Sequence, residues 1–168
     1  SQVVFADPVT GAYSFTNVPR SNAAGYTITE AQPGAFVDGA ETAGSGFGGA
    51  VSNALNSNVI TSIVVSTGSA SGSGYNFGEV LGSSLSGLVY VDANNDGVAQ
   101  VGETRISGTT MQIVGTDFLG QAVSLSTSTV TGAYAFSGLR PGTYTLTETQ
   151  DPAYLDGKET VGLQASGT

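Results

Sequence analysis

An internal repeat constrains the fold of this chain more than any other feature of its sequence. Val9–Phe15 reappears 121 residues later as Val130–Phe136, and Gly25–Gln32 is matched 118 residues later by Thr143–Gln150. A repeat of this length suits one β-sandwich domain, and the 168 residues hold fewer than one and a half such units. We therefore expect tandem repeats of one unit, with both copies incomplete within this chain.

Short strands separated by tight turns are indicated in both copies. In Tyr134–Phe136 and Tyr144–Glu148 the large side chains fall on alternate positions, which is the period of a half-buried strand. Turn dipeptides such as Thr131-Gly132 and Asp156-Gly157 lie between such segments, and no segment shows a sustained helical period. The pattern predicts an all-β fold made of immunoglobulin-like or prealbumin-like β-sandwich repeats.

The repeat also predicts where the domains begin and end. We expect residues 1–78 to be the C-terminal portion of a first β-sandwich repeat and residues 87–168 to be the N-terminal portion of a second. Residues 79–86 would form a short linker between them. Either the chain is a window of a longer array of repeats, or strands from neighbouring molecules complete the two sandwiches.

The amino-acid composition argues against an enzyme. The chain contains no Cys and no His, which removes thiolate and imidazole metal ligands and the Ser-His and Cys-His nucleophile pairs. Four basic residues against 13 acidic ones give a net charge of −9, which disfavours nucleic acid and anionic membranes as partners. No apolar stretch is long enough for membrane insertion. We expect a non-enzymatic protein.

One segment carries the residue pattern of a calcium-binding loop. Asp92–Glu103 fits the twelve-residue pattern in which oxygen-bearing residues alternate before a glycine that permits a sharp turn, here Gly97. Calcium takes six to eight oxygen ligands, which side chains, one backbone carbonyl and a closing bidentate carboxylate can supply. A strand is predicted before the loop, so it is a calcium loop on a β-scaffold. The predicted Ca²⁺ ligands are Asp92, Asn94, Asp96, Val98 through its carbonyl oxygen, Gln100 and Glu103.

The acidic segments also have simpler interpretations. If Asp92–Glu103 were an ordinary acidic turn, its Asn and Asp side chains would bind only their own backbone. Asp156–Glu159 and its counterpart Asp38–Glu41 would add ligands to a second calcium site, or would be common Asp-Gly turns with solvated acids. We favour metal binding for the loop and a turn for the other two segments.

Motifs spread over nearly the whole chain look like those of one known family. They are Gly74–Glu79, Gly87–Gly97, Val101–Glu103, Gly115–Asp117, Gly132–Phe136, Pro141–Thr149 and Tyr154–Thr160. Together they resemble the SdrD B-like repeat, a member of the prealbumin-like and Cna-B-like β-sandwich group. The resemblance implies a calcium-stiffened stalk module of a secreted or cell-surface bacterial adhesin, with Asp92, Asn94, Asp96 and Glu103 as metal ligands. Family members often carry Asp at the ninth loop position, where this chain has Gln100.

Relatives in the Cna-B branch carry a covalent lock that this chain is not expected to form. They link a Lys on the first strand to an Asn through an isopeptide bond, assisted by a Glu at the position that Glu148 occupies here. The opening strand Leu88–Val91 contains no Lys, and Lys158 is predicted to lie in a turn. We expect calcium to take the place of the covalent bond.

Three functions are compatible with the sequence. The leading one is a structural spacer that calcium stiffens outside the cell, with neighbouring repeats of the same protein as its partners. The second is a subunit of an extracellular filament or surface lattice, in which copies of the chain complete one another's sheets by donating strands. The third is a ligand-binding adhesin module, which the absence of Trp and the low aromatic content of 8% disfavour.

Overall fold

The structure is a computed structural model that describes residues 1–52, 54, 57–68 and 70–162. The described residues form β-strands and no helix, which confirms the all-β prediction and agrees with a β-sandwich, while the tandem repetition and incompleteness of the copies stay predictions. Within these residues there is therefore no helix that is long and apolar enough to cross a membrane. The strands are β1 (Tyr26–Thr29), β2 (Val37–Thr42), β3 (Ala50–Val51), β4 (Val59–Ile63), β5 (Asn76–Val80), β6 (Ser83–Leu88), β7 (Thr110–Asp117), β8 (Ala122–Ser128), β9 (Ala133–Leu139) and β10 (Gly142–Glu148).

The chain divides into two compact units. The first unit comprises Ser1–Pro33 and Asp38–Glu79, and the second comprises Gly34–Val37 and the chain from Val80 onward. The segment predicted as a linker, residues 79–86, contains the end of β5 and the beginning of β6, so that Leu81 and Gly82 alone lie between these strands.

The first unit contains a three-stranded sheet and a strand pair. The sheet has the order β1-β4-β3, with both neighbouring pairs antiparallel, and β2 pairs with β5. Ile60 and Ile63 of β4 are buried, as is Val65 just after the strand. These β-branched residues fill the interior of the unit, because their side chains suit a pleated surface.

The second unit is organised around β7, the central strand of the sheet β10-β7-β8. Along β7 the side chains alternate, with Met111 and Ile113 buried and Gln112 and Val114 exposed. The predicted alternation also fits the start of β9, where Tyr134 is half-buried and Phe136 is buried, whereas on β10 Tyr144 is half-buried but Leu146 is 37% exposed. The core of this unit consists of Val89, Ile106, Met111, Ile113, Phe136 and Leu139.

A bulge in β9 changes its alternation. β9 pairs antiparallel with β6, and the register advances by two residues on β6 but by three on β9 between the pairs Ser83↔Leu139 and Leu85↔Phe136. Gly138 in this interval has a φ of 66°, a left-handed conformation that glycine adopts without steric cost. The extra residue turns both Phe136 and Leu139 toward the core, although they are three positions apart.

A buried ion pair holds the turn between β7 and β8. Nη1 of Arg140 lies 3.3 Å from Oδ2 of Asp117, and both side chains are almost wholly buried. Oδ1 of Asp117 accepts hydrogen bonds from the backbone N–H of Leu119 at 3.0 Å and of Gln121 at 2.8 Å. A carboxylate that is satisfied on both oxygens can stay charged inside the protein.

Replacing Asp117 by Ala should lower the free energy of unfolding by about 3 kcal/mol, because the substitution removes the carboxylate that pairs with the buried guanidinium of Arg140. Denaturant unfolding measures the loss. Asp151→Ala is the matched control, since Asp151 also accepts a backbone N–H within a turn, from Ala153 at 2.9 Å. The control should cost about 1 kcal/mol, and equal losses in the two variants would contradict the role assigned to the ion pair.

Candidate metal centre

The predicted calcium loop is a closed loop between β6 and β7. Tyr90 and Arg105 form an antiparallel bridge at its base, and the N–H of Val91 donates to the carbonyl oxygen of Thr104 at 2.8 Å. The guanidinium of Arg105 lies over the ring of Tyr90 at 5.5 Å. The twelve residues Asp92–Glu103 therefore leave and re-enter the β-scaffold through one narrow neck.

Two left-handed residues curl the first half of the loop. Asn95 has a φ of 56° and Gly97 a φ of 78°. Asn is among the residues that tolerate this conformation, and glycine adopts it freely. The curl places the backbone N–H groups of the turn on the same side as the side chains of the alternating residues.

The side chains at the first, third and fifth loop positions point into this curl. The two carboxylate oxygens of Asp92 accept from the N–H groups of Asp96 at 3.1 Å and Gly97 at 2.7 Å. Oδ1 of Asn94 accepts from the same N–H of Asp96 at 3.2 Å, and Oδ1 of Asp96 accepts from the N–H of Val98 at 2.8 Å. Three oxygen-bearing side chains are thus gathered around one short stretch of backbone.

Glu103 joins the two ends of the loop. Its Oε1 accepts from the N–H of Ala93 at 3.2 Å and its Oε2 from the N–H of Gln100 at 2.9 Å. The side-chain amides of Gln100 and Asn94 both donate to Oδ2 of Asp96. Rotating the side-chain amide of Gln100 by half a turn about its last bond would exchange the positions of its oxygen and its nitrogen.

Hydrogen bonds within the loop favour the ionised form of Asp96. The backbone N–H of Val98 is the main cause that lowers the pKa of Asp96, with smaller contributions from Asn94, Gln100 and the charge of Lys158. Desolvation raises the pKa of Tyr90, and the negative charges of Asp92, Glu103 and Asp96 raise it further. The loop is therefore a source of negative potential at the base of the neck.

All six predicted ligand residues lie in this loop, but they do not form a finished coordination shell. Val98 takes part through its N–H, and the oxygens of Asp92, Asn94, Asp96 and Glu103 accept hydrogen bonds from the loop itself. Throughout the described part of the chain, no group of three or more acidic side chains is arranged to hold a metal ion. Metal binding by the loop stays a prediction.

Two residues that hold the loop were not found from the sequence. Nζ of Lys158 donates to the carbonyl oxygen of Asn95, and Oγ1 of Thr160 donates to that of Gly97, each at 2.6 Å. Lys158 was predicted merely to lie in a turn. The internal repeat could have drawn attention to Thr160, because Thr42 occupies the equivalent position in the first copy.

Asp156 and Glu159 lie near Glu148 on β10. Burial raises the pKa of Glu148, and the charges of Asp156 and Glu159 raise it further. Glu148 lies opposite Met111, on the same face of the sheet as Leu146 and Ile113, as the alternation predicts. None of these three acids is among the six predicted calcium ligands.

The fold and the loop together define an all-β module. It carries an acidic loop whose two ends are joined by hydrogen bonds at the base. The family model described as SdrD B-like domain matches residues 83–166, which is half of the chain. The chain therefore belongs to the SdrD B-like family, whose domains occur in surface-anchored bacterial adhesins. No curated protein and no solved structure matched the chain.

Gly97→Ala should destabilise the loop and weaken calcium binding. Gly97 is buried, and a Cβ at this position would lie 3.1 Å from Oγ1 of Thr160, so the substitution adds a steric conflict to the cost of a left-handed backbone. Thermal unfolding and calcium titration by calorimetry measure the two effects.

Gly120→Ala is the matched control, because Gly120 has the same φ of 78° but no described atom within 4 Å of the point that its Cβ would occupy. It should cost about 1 kcal/mol of stability and leave calcium affinity unchanged. Equal effects of the two substitutions on calcium affinity would show that the contact with Thr160 has no part in shaping the loop.

Proposed function

We propose that this chain is a calcium-stabilised, non-catalytic spacer module of a secreted or cell-surface bacterial adhesin. The observation that carries the proposal is the closed loop Asp92–Glu103, in which carboxylate and amide oxygens face a backbone that already curls around them. Membership of the SdrD B-like family supports the adhesin context.

The donor set of the loop fits calcium. Asp92, Asp96 and Glu103 supply carboxylate oxygens, Asn94 and Gln100 amide oxygens, and Val98 a carbonyl oxygen, all of them hard ligands. Three carboxylates against a divalent ion leave a net charge of −1, and two amides stand where more acids would bind more tightly. We expect a dissociation constant in the range of extracellular modules, roughly 10⁻⁴ to 10⁻³ M.

The position of the loop explains how an ion there would stiffen the module. Directly inside the neck, the N–H of Val89 donates to the carbonyl oxygen of Gly132, and the N–H of Ile106 donates to that of Val89. Val89 and Ile106 both belong to the core of the second unit. Fixing the loop would therefore fix two core residues and the approach to β9, and the contacts of Lys158 and Thr160 would hold the following segment against the loop.

Calcium should raise the melting temperature of the chain. An ion at a hundredfold excess over its dissociation constant stabilises the folded state by about 2.7 kcal/mol, which corresponds to a rise of about ten degrees for a domain of this size. Calorimetric melting with calcium and with a chelator measures the shift. The same melting temperature in both conditions would refute calcium stabilisation.

The double variant Asp92→Asn with Glu103→Gln should lose most of this shift, because it removes two of the three loop charges. Asp7→Asn is the control. Oδ1 of Asp7 accepts hydrogen bonds from the N–H groups of Val9 at 3.0 Å and Thr10 at 2.7 Å. The carboxylate of Asp7 therefore also binds the backbone of a turn, but this turn lies outside the loop. The control should melt with the full calcium response.

Unpaired strand edges support a second candidate function, a subunit of a filament or lattice. Among the described residues β6 and β9 form a sheet of two strands, and Leu88 and Val130 are exposed beside it. Such an edge can accept a strand from another copy of the chain. Light scattering over a range of protein concentrations tests this role, since assembly by strand donation requires the mass to rise with concentration and a constant monomer mass contradicts it.

A further inference from the structure

The first copy of the repeat contains a counterpart of β9 that has no neighbouring strand among the described residues. This counterpart is residues 12–18, which precede β9 by 121 residues and begin with Ala-Tyr-Ser-Phe where β9 begins with Ala-Tyr-Ala-Phe. β9 pairs with β6, whereas residues 12–18 belong to none of the strands in the described part of the chain. We call residues 12–18 the acceptor segment.

The acceptor segment has the backbone shape of β9 although it is unpaired. Gly11 and Gly132, which lie just before the two segments, have φ angles of 70° and 79°. Asn17 has a φ of 53° at the position that corresponds to Gly138, the left-handed residue in the bulge of β9. This conformation is unfavourable for most residues other than glycine, and Asn tolerates it. The first copy therefore keeps the bend that fits β9 to β6.

The side chains of the acceptor segment also alternate as those of β9 do. Tyr13, Phe15 and Val18 are half-buried and the residues between them are exposed. The ring centroids of Tyr13 and Phe15 lie 5.9 Å apart at an angle of 76°, and their counterparts on β9 lie 6.3 Å apart at 64°. On β9 the counterparts of Phe15 and Val18 are buried. The acceptor segment is thus oriented like β9 but is less well covered.

The backbone of the acceptor segment is free to pair. Within the described residues, the N–H groups of residues 13–18 donate no hydrogen bond to a protein atom. Of their carbonyl oxygens, that of Thr16 alone accepts a hydrogen bond there, from Nε2 of Gln2 at 3.3 Å. A row of unpaired backbone groups on a strand-shaped segment is a template for another strand.

A groove beside the acceptor segment occurs at the same place in both copies. In the first unit it lies between residues 4–8 and 12–14. In the second unit the corresponding groove lies between residues 127–130 and 133–135, and residues 86–88 of β6 form part of its wall. The second unit therefore shows what kind of chain segment fits beside this groove.

We propose that the acceptor segment binds one extended strand with the residue pattern of β6, and that another SdrD B-like domain supplies it. The family model matches from residue 83, the first residue of β6, so a strand at this position belongs to what the family model describes. β6 contains no charged residue and would add no negative charge to the first unit, which has five acids and a single basic residue, Arg20. Pairing of backbone groups along an edge would supply the affinity.

A glycine in the incoming strand would determine specificity. Gly87 of β6 lies opposite Tyr134, and a Cβ at this glycine would lie 2.7 Å from Cζ of the tyrosine. Tyr13 is the counterpart of Tyr134, and its hydroxyl donates to the backbone carbonyl oxygen of Tyr75, which holds its ring in place. The strand that binds must therefore carry glycine opposite Tyr13.

Binding at the acceptor segment requires neither calcium in the loop Asp92–Glu103 nor pairing at the free edge beside β6 and β9. The acceptor site lies in the first unit, and the loop and the edge lie in the second. Loss of strand binding would leave the calcium response of the chain unchanged, and loss of the calcium response would leave strand binding unchanged. The two proposals can therefore fail separately.

Amide hydrogen exchange measured by NMR on the full chain tests the proposal. The probe is a synthetic peptide with the sequence of residues 83–90, Ser-Ser-Leu-Ser-Gly-Leu-Val-Tyr. In the free chain the amides of residues 13–18 should exchange faster than those of β9, because they are unpaired. The peptide should slow exchange in residues 13–18 at least about tenfold. The matched control is the same peptide with Gly87→Val, which should leave exchange there unchanged.

Two variants of the chain test the register. Tyr13→Ala removes the ring that excludes a side chain, so this variant should accept the Gly87→Val peptide, a gain of binding that poor folding would not produce. Asn17→Gly introduces the residue that β9 has at its bend and should bind the unaltered peptide at least as tightly as the original chain.

Three results would overturn the proposal: no slowing of exchange in residues 13–18, slowing confined to Ala133–Leu139 where the peptide would replace β6, or an equal response to both peptides. Slowing in residues 13–18 that increases with protein concentration in the absence of peptide would support it, and would show that a second copy of the chain supplies the strand.

Discussion

An excess of carboxylates over basic side chains is the physical constraint on which this molecule depends. The sequence has thirteen acidic and only four basic side chains, so most carboxylates have no cationic side chain to pair with. Asp117 differs from them, because it is buried against Arg140. Most of the remaining negative charge must be met by backbone N–H groups, by amides, by protons or by an ion from solution.

The two units meet this constraint in different ways. In the second unit the loop Asp92–Glu103 surrounds its acids with backbone N–H groups, an arrangement that tolerates ionisation and stays accessible to water. In the first unit Asp38 and Glu41 are buried and Glu30 and Glu79 are half-buried, and one carboxylate oxygen each of Glu30, Glu41 and Glu79 has no donor among the described residues.

The sequence predicted the class of fold and the position of the loop because both depend on local patterns. The alternation in Tyr134–Phe136 and the spacing from Asp92 to Glu103 are readable in the residues themselves. The pairing of strands could not be predicted in this way. Val9–Phe15 has nearly the same sequence as Val130–Phe136, and Tyr13 and Phe15 keep the same edge-to-face ring contact as Tyr134 and Phe136, yet only the second copy forms a strand. The difference is that β6 lies alongside the second copy, which no local pattern records.

Tertiary contacts also explain what was missed near the candidate sites. Lys158 and Thr160 reach the loop across more than 60 residues, and Glu41 is buried although an Asp-Gly turn with a solvated acid was the favoured interpretation of its segment. The bulge at Gly138 likewise breaks the two-residue period at a point where the sequence shows only one more glycine. Each of these features depends on what is brought alongside the residue and not on the residue's neighbours in the chain.

The narrow neck between Val91 and Thr104 has a consequence for how such domains can vary. The chain enters and leaves the twelve-residue loop through one hydrogen-bonded bridge, so the sequence of the loop can vary while the strands on either side keep their register. If the loop binds calcium as we propose, substitutions inside it would change the ion affinity and, with it, the stability that the ion adds. Successive domains of one surface protein could thus share a scaffold while each responds to its own level of the ion.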